Sequence, residues 1–476
     1  MVKQADIWLH VAIGVILILS AALLYLIYAI NGPSWDLIVH YFNAKAVFSA
    51  LNAIASNKAE IIAHITAQSD SSYYENFRAP LSAFVMMLML PFDSNPITPY
   101  LVLLFIGLAA AVWYASKGLG LDMLVLYALV FNPYTMYYTF IFNSTEALSM
   151  IFALLGIALV AKKSIYAGAA LGIATLAKYP MAIFLPLLLL LGKQRKILYS
   201  AVLAFLMVLP WLAFNYIMFG NPMMSYLQSF STAIGSSIKH TGFLPPALIN
   251  VLGYPLAVAA IACIAYLIEM ARRGRRTIPH FSLNSANILV LSILGLAIIE
   301  FLFTGGRYGV FVQSRFGYIL ALATEISAAY AITKMQQSAG KTPGKAQIRI
   351  NLIVGLIAII VLSYAVWWYY NASNYQSSYY YNPTLSNSLY SNAKAELAAL
   401  GYGNCRVITN AWPYMRYLGV YAYMPFYENA TEMHYPILAF SSIGPQGIIL
   451  NINSSKEIYA NANFSIYLPS SPICVH

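Results

Sequence analysis

Six ionisable residues sit beside long apolar runs, and they carry most of the chemistry this sequence offers. Asp36 follows the first run, in Gly32-Pro33-Ser34-Trp35-Asp36. Arg78 stands before Ala79-Pro80, Glu146 closes Phe142-Asn143-Ser144-Thr145-Glu146, and Lys178 opens Lys178-Tyr179-Pro180. Arg307 and Arg315 precede Phe316. Ionisable groups are costly in lipid, so those at a membrane boundary are functional candidates by default. An acid takes a proton from an attacking hydroxyl. Cations stabilise a phosphate leaving group as its charge grows. A second acid holds a divalent metal such as Mg or Mn, or orients the acceptor. Each residue also has a plain structural reading. Asp36 caps a helix, Glu146 favours a helix N-terminus, and the bases extend toward lipid headgroups.

The elements that must position these groups are apolar. The chain has 476 residues, 61% hydrophobic and 9% charged, against roughly 25% charged in soluble domains. Ile7–Ile30, Ile97–Ser116, Met123–Phe142, Ile197–Phe214, Ala247–Ile268 and Ile350–Tyr370 contain no Asp, Glu, Lys or Arg. Each is about long enough to cross roughly 30 Å of hydrocarbon. Ala286–Phe303 and Phe316–Thr333 carry one Glu each, and Ala147–Ala161 is shorter. Ser164–Gly192 reads as two short arms broken at Lys178-Tyr179-Pro180. Ala79–Phe92 is too short to cross and reads as re-entrant. The expectation is a polytopic α-helical membrane protein with about eleven transmembrane helices, plus a small C-terminal α/β domain.

Charge sets the expected orientation. The net charge is +11, and 15 of the 26 basic residues fall in short loops with only Asp6, Asp122 and Glu269. Those loops read as cytoplasmic, which accounts for the positive excess without nucleic acid. The N-terminus is then cytoplasmic and the C-terminal domain extracytoplasmic, in a multi-pass protein of the plasma membrane. The expected division is 1–370 for the membrane domain, with 31–96 its first external loop, then a 371–392 linker and a 393–476 α/β domain. In the last, Ala393–Leu400 reads as a helix closed by Gly401, Trp412–Leu418 as a second helix, and Cys405–Thr409, Val420–Met424, Gly447–Ile452 and Phe464–Leu468 as strands. Asn371, Asn429, Asn453 and Asn463 match the N-glycosylation pattern there, as Asn143 does earlier. Cys405 and Cys474 share the tail, so a disulfide between them is open.

Four patterns, in order along residues 1–335, resemble the GT-C superfamily of membrane glycosyltransferases. They are Asp36 with Tyr41 and Ala44; Phe77-Arg78-Ala79-Pro80-Leu81; the small-residue run from Ala167 to Lys178-Tyr179-Pro180; and Pro210-Trp211 followed by Asn215-Tyr216 and Phe219-Gly220-Asn221-Pro222. Ser314-Arg315-Phe316 is similar to a late Arg-aromatic helix start. The likeness is greatest to enzymes of the dolichyl-phosphate-mannose protein mannosyltransferase and aminoarabinose transferase type. It implies a polyprenyl-phosphate-linked sugar as donor, transferred with inversion to a protein, lipid or glycan acceptor. Asp36 would be the catalytic base or a metal-site acid, Glu146 the second acid, and Arg78 and Lys178 the holders of the donor phosphate. Arg315 and Arg307 are candidates for the same phosphate from their charge and their place before Phe316, apart from the resemblance. The family often has a second acid directly after the first, where this chain has Leu37. The Asp36–Pro80 region also resembles lipid mannosyltransferases, so the acceptor class stays open. The alternatives are a transporter or lipid flippase, which calls for paired broken helices, and a non-catalytic receptor or assembly subunit.

Overall fold

The computed structural model describes residues 2–54, 78–132, 135–141, 145–229, 285–302, 317–339, 387–423, 435–441, 455–470 and 474. These residues are mostly helical, with one small C-terminal sheet. The chain divides into two units, Met1–Leu24 with His40–Ala365 and Tyr25–Val39 with Val366–His476.

The helices in the membrane-domain region are α1 (Val2–Asn31), α2 (Trp35–Ile54), α3 (Leu81–Met89), α4 (Ile97–Leu119), α5 (Met123–Val130), α6 (Thr145–Ala161), α7 (Ala167–Ala177), α8 (Gln194–Phe219), α9 (Ser285–Phe301) and α10 (Tyr318–Ala339). Among the described residues, three stretches are long and apolar enough to cross a membrane: Ile7–Ala29, Ile97–Leu119 and Gln194–Ile217. Their outward faces carry exposed Trp8, Ile18, Val102, Ile106, Phe205 and Ile217. Such surfaces suit lipid rather than water, which supports membrane association. The expected spans Ala247–Ile268 and Ile350–Tyr370 lie outside the described residues.

Two segments differ from the sequence expectation. Residues 31–96 do not begin as a plain loop, because α2 starts only a few residues after α1 ends. Gly32 makes the break possible with φ 67°, and the Ser34 hydroxyl accepts from the Leu37 amide at 3.3 Å, capping the new helix. Leu37, Ile38 and Val39 are fully buried. Met123–Phe142 is also not one helix. It stops after Val130 and resumes as a π-helix at Thr135–Ile141. Pro133 explains the interruption, since Asn132 before it is biased away from helical geometry and proline lacks an amide donor. The short segment Ala79–Phe92 does contain only a nine-residue helix, α3.

The interior of this unit depends on small residues. Gly168 of α7 lies so close to α8 that a Cβ there would stand 1.7 Å from the Ser200 carbonyl oxygen. The Gly168 amide donates to the Ser200 hydroxyl at 2.8 Å. One turn on, a Cβ at Gly172 would meet the Ala204 carbonyl at 2.7 Å. On α6, one at Gly156 would meet the Leu171 side chain at 2.6 Å. The run Ala167–Ala177 is therefore small because two neighbouring helices close on it.

The second unit contains α11 (Asn387–Ala399), α12 (Trp412–Tyr417) and five strands, β1 (Val407–Thr409), β2 (Ala422–Tyr423), β3 (Ile437–Phe440), β4 (Ser455–Ala460) and β5 (Phe464–Pro469). The sheet order is β2-β1-β3-β5-β4. β1 pairs in parallel with β2 and β3, while β5 runs antiparallel to β3 and β4. α12 forms the crossover between parallel β1 and β2. α11 begins inside the segment expected to be a linker. Leu389, Tyr390, Ala393 and Leu397 give it a buried face at helical spacing. β3 and β4 were not expected, and the expected strand Gly447–Ile452 lies outside the described residues. Trp35, assigned to this unit, meets Trp412 and Tyr414 edge to face with ring centroids 6.1 and 5.9 Å apart. Tyr390 stacks on Tyr414 at 4.7 Å and touches Phe440 at 5.1 Å.

Cys405 and Cys474 are joined by a disulfide, closing a sequence separation of 69. Cys405 itself is fully buried. A loop of that length restricts the unfolded chain strongly, so Cys405→Ala with Cys474→Ala is expected to cost about 2–5 kcal/mol. Thermal unfolding followed by tryptophan fluorescence, with and without the bridge, measures it.

Candidate active site

The site grows from the broken pair formed by α7 and the 3-10 helix Tyr179–Leu191. Between them Lys178 is extended, at φ −155° and ψ 117°. Pro180 lacks an amide hydrogen and makes an α-helical continuation unfavourable. The break turns the Lys178 side chain toward the first turn of α6. There its ammonium stands 2.9 Å from Glu146 Oε1, with the lysine side chain 18% exposed and the glutamate 0%. Lys178 Nζ also donates to the Thr145 hydroxyl at 3.4 Å, which itself donates to Glu146 Oε2 at 3.0 Å. Both glutamate oxygens are thus engaged. Glu146 lies in the first turn of its helix, where the exposed amides favour an anion. A buried carboxylate is tolerable only with this sort of pairing.

The next residue extends the network. The Tyr179 hydroxyl donates to the Arg78 carbonyl at 3.2 Å and accepts from Trp211 Nε1 at 3.1 Å. Tyr226 packs on the Tyr179 ring with centroids 4.1 Å apart. Burial pushes the Tyr226 phenol up to about 12, so it stays protonated at neutral pH. Behind Trp211, the Asn215 amide donates to the Trp211 carbonyl at 2.9 Å, and its oxygen accepts from Ser225. Three of the four sequence patterns therefore meet at one tyrosine: Arg78-Ala79-Pro80, Lys178-Tyr179-Pro180 and Pro210-Trp211.

Asp36 is buried at 4% exposure in the first turn of α2 and belongs to the second unit. The same helix carries buried His40 and Asn43, which sequence reading passed over. Their spacing from Asp36 places all three along one helical face, a signal visible only once a helix is recognised there. Arg307, Arg315, Asn143, Asn371, Asn429 and Asn453 lie outside the described residues. Asn463 is exposed. Thr145, Tyr179, Trp211 and Tyr226 were not singled out as site residues.

The Glu146 oxygens that a divalent metal would need are already engaged, by Lys178 and Thr145. Among the described residues no three His, Cys, Asp or Glu side chains gather as a metal site. No protein-family model, curated protein or solved structure matches this chain.

Proposed function

We propose that this chain is a membrane glycosyltransferase that moves a sugar from a polyprenyl-phosphate donor to an extracytoplasmic acceptor with inversion. The observation that supports this reading is the node at Lys178 and Tyr179. It gathers a partly exposed cation, the backbone of Arg78 and an indole from three separate parts of the chain. In this reading Lys178 and Arg78 hold the donor phosphate, and Arg307 and Arg315 share that role on their sequence positions alone. Glu146 and Thr145 fix the lysine. The donor's polyprenyl tail remains in the bilayer, which is why a site of this kind belongs at a membrane boundary.

The acceptor is a protein, lipid or glycan hydroxyl. Its oxygen forms a bond to the anomeric carbon on the face opposite the phosphate. The bond from that carbon to the phosphate oxygen breaks, and its electron pair leaves with polyprenyl phosphate. The hydroxyl proton passes to Asp36, acting as general base. Lysine and arginine stabilise the charge gathering on the departing phosphate. The protein is multi-pass in the plasma membrane, with its N-terminus cytoplasmic and its C-terminal domain outside.

Reconstitution in liposomes with labelled polyprenyl-phosphate sugars and a membrane extract as acceptor tests this. Asp36→Asn is expected to lower transfer by roughly 10²–10⁴-fold while leaving thermal stability near that of the parent. Undiminished transfer in Asp36→Asn removes that residue from the mechanism. The transporter reading gains one specific support, because a second apolar segment, Met123–Ile141, is also discontinuous. Movement of the labelled donor between leaflets without sugar transfer would favour it.

A further inference from the structure

Two of the candidate spans have basic ends. Ile97–Leu119 finishes beside Lys117, and Gln194–Ile217 starts among Lys193, Arg195 and Lys196. Between them in sequence, α6 runs out into Lys162-Lys163. The positive-inside bias asks only that such residues lie in loops on one side. It does not require separate loops to meet, and here they do. Lys162 Nζ stands 3.8 Å from the centroid of the Tyr114 ring, one turn before Lys117 on α4. A Cβ at Gly118 would lie 2.9 Å from that of Ala158, so α4 and α6 touch at these same ends. Lys196 Nζ donates to the Lys163 carbonyl at 2.7 Å, which ties the start of α8 to the end of α6. Lys163 Nζ in turn donates to the Leu190 carbonyl, in the last turn of the 3-10 helix.

Lys163 holds its place in an unusual backbone shape. Its φ is 55°, and among the described residues it is the one non-glycine with a positive φ. The Lys163 amide donates to the Val160 carbonyl and the Ser164 amide to the Leu159 carbonyl, a helix ending that glycine normally makes. A glycine would close α6 without strain but would bring no ammonium.

The charges gathered here are not offset within the protein. Among the described residues none of Lys117, Lys162, Lys163, Lys193, Arg195 and Lys196 forms an ion pair. Asp122, the nearest acid in sequence to Lys117, accepts from the Val125 amide at 3.2 Å and caps α5. Like charges brought together repel, and an anion among them relieves that cost. The surroundings select the anion. Trp113, Tyr166 and Tyr199 flank the cations and are exposed, as rings at headgroup level are. Exposed Leu189 and Leu198 continue the surface in apolar form. A phospholipid meets both parts, with a phosphate for the ammoniums and acyl chains for the leucines.

We propose that the adjoining ends of α4, α6 and α8 form a site for the phosphate headgroup of an anionic phospholipid. Lys162, Lys163 and Lys196 receive the phosphate, and Lys117, Lys193 and Arg195 extend the positive rim. With these loops inside, the lipid comes from the cytoplasmic leaflet. The site does not depend on transferase activity.

The test uses the full-length chain in nanodiscs of phosphatidylcholine, alone or mixed with phosphatidylglycerol. Both leaflets of a disc carry the same lipids, so the result is independent of orientation. Native mass spectrometry of protein released from the mixed discs is expected to show retained phosphatidylglycerol in preference to phosphatidylcholine. The thermal midpoint is expected to be several degrees higher in the mixed discs. Lys162→Gln and Arg195→Gln should each lower retention roughly fivefold. Lys334→Gln, on α10, removes the same charge elsewhere and should leave retention unchanged. Folded parent protein with no preference for phosphatidylglycerol overturns the proposal. So does retention that survives Lys162→Gln combined with Arg195→Gln. An equal loss in Lys334→Gln overturns it in favour of diffuse surface charge. A midpoint raised equally by inorganic phosphate in phosphatidylcholine discs overturns it in favour of a soluble anion.

Discussion

Lys178→Met is expected to destabilise the protein by about 3–5 kcal/mol and, on the proposed reading, to lower sugar transfer sharply. The stability loss follows from what the lysine leaves behind. Glu146 has no exposure, and the Lys178 ammonium stands 2.9 Å from its carboxylate. Removing one member of a buried pair leaves the other charged and unpaired, and that residual charge is the main cost. Glu146→Gln removes the charge and leaves a partly exposed lysine, so its cost should be smaller. The double variant Lys178→Met with Glu146→Gln separates structure from chemistry. With neither charge present, most of the stability should return, yet on the proposed reading transfer should stay strongly reduced because one of the cations holding the donor phosphate is gone. Denaturant unfolding in detergent reads the first quantity, and the liposome assay reads the second. Recovery of both in the double variant would reduce Lys178 to a structural residue.

Gly168→Ala should be nearly as damaging without touching any charged group. The added Cβ would stand 1.7 Å from the Ser200 carbonyl oxygen and 2.8 Å from its hydroxyl oxygen. A backbone carbonyl cannot swing aside as a side chain can. α7 and α8 must separate, which also stretches the amide-to-hydroxyl bond between Gly168 and Ser200. Overpacking of this kind costs about 1–3 kcal/mol and sometimes more, and a backbone neighbour puts this case at the upper end. Gly295→Ala in α9 is the matched control. Nothing lies within 4 Å of a Cβ there, so the change should be neutral or mildly stabilising through better helix propensity. Thermal midpoints and monodisperse yield of the two variants provide the comparison. Since Lys178 directly follows α7, loss of its packing should, on the proposed reading, also lower donor use.

The sequence disclosed a good part of this in advance. Apolar length marked α1, α4 and α8, and Lys178-Tyr179-Pro180 marked the break between α7 and the 3-10 helix, because proline rules are local. The same rule applied to Pro133 but was masked by the continuous hydrophobicity of Met123–Phe142. α2 was missed because Gly32-Pro33-Ser34 reads as the start of a loop, while its role is to begin another helix. The ion pair of Lys178 with Glu146 was beyond sequence reading. Each residue was a candidate by type, but their partnership depends on how α6 packs against α7. Tyr179 was legible only as half of a motif, and its hydroxyl gained meaning when Arg78 and Trp211 arrived from distant segments. In the tail, alternation revealed β1 and β5. β3 was less visible because Ile437–Phe440 is a short apolar run without alternation, and β4 because Ser455–Ala460 is mostly polar.

The ring contacts of Trp35 bear on the order in which the protein is completed. Trp35 is made several hundred residues before Trp412 and Tyr414, yet they meet edge to face in the finished unit. The turn that carries Asp36 therefore waits for aromatic neighbours that are translated far downstream of it. Contacts so distant in sequence form late, after local helices are already in place. A chain halted before the tail would possess α1, α2 and the Lys178 node while lacking the packing beside Asp36.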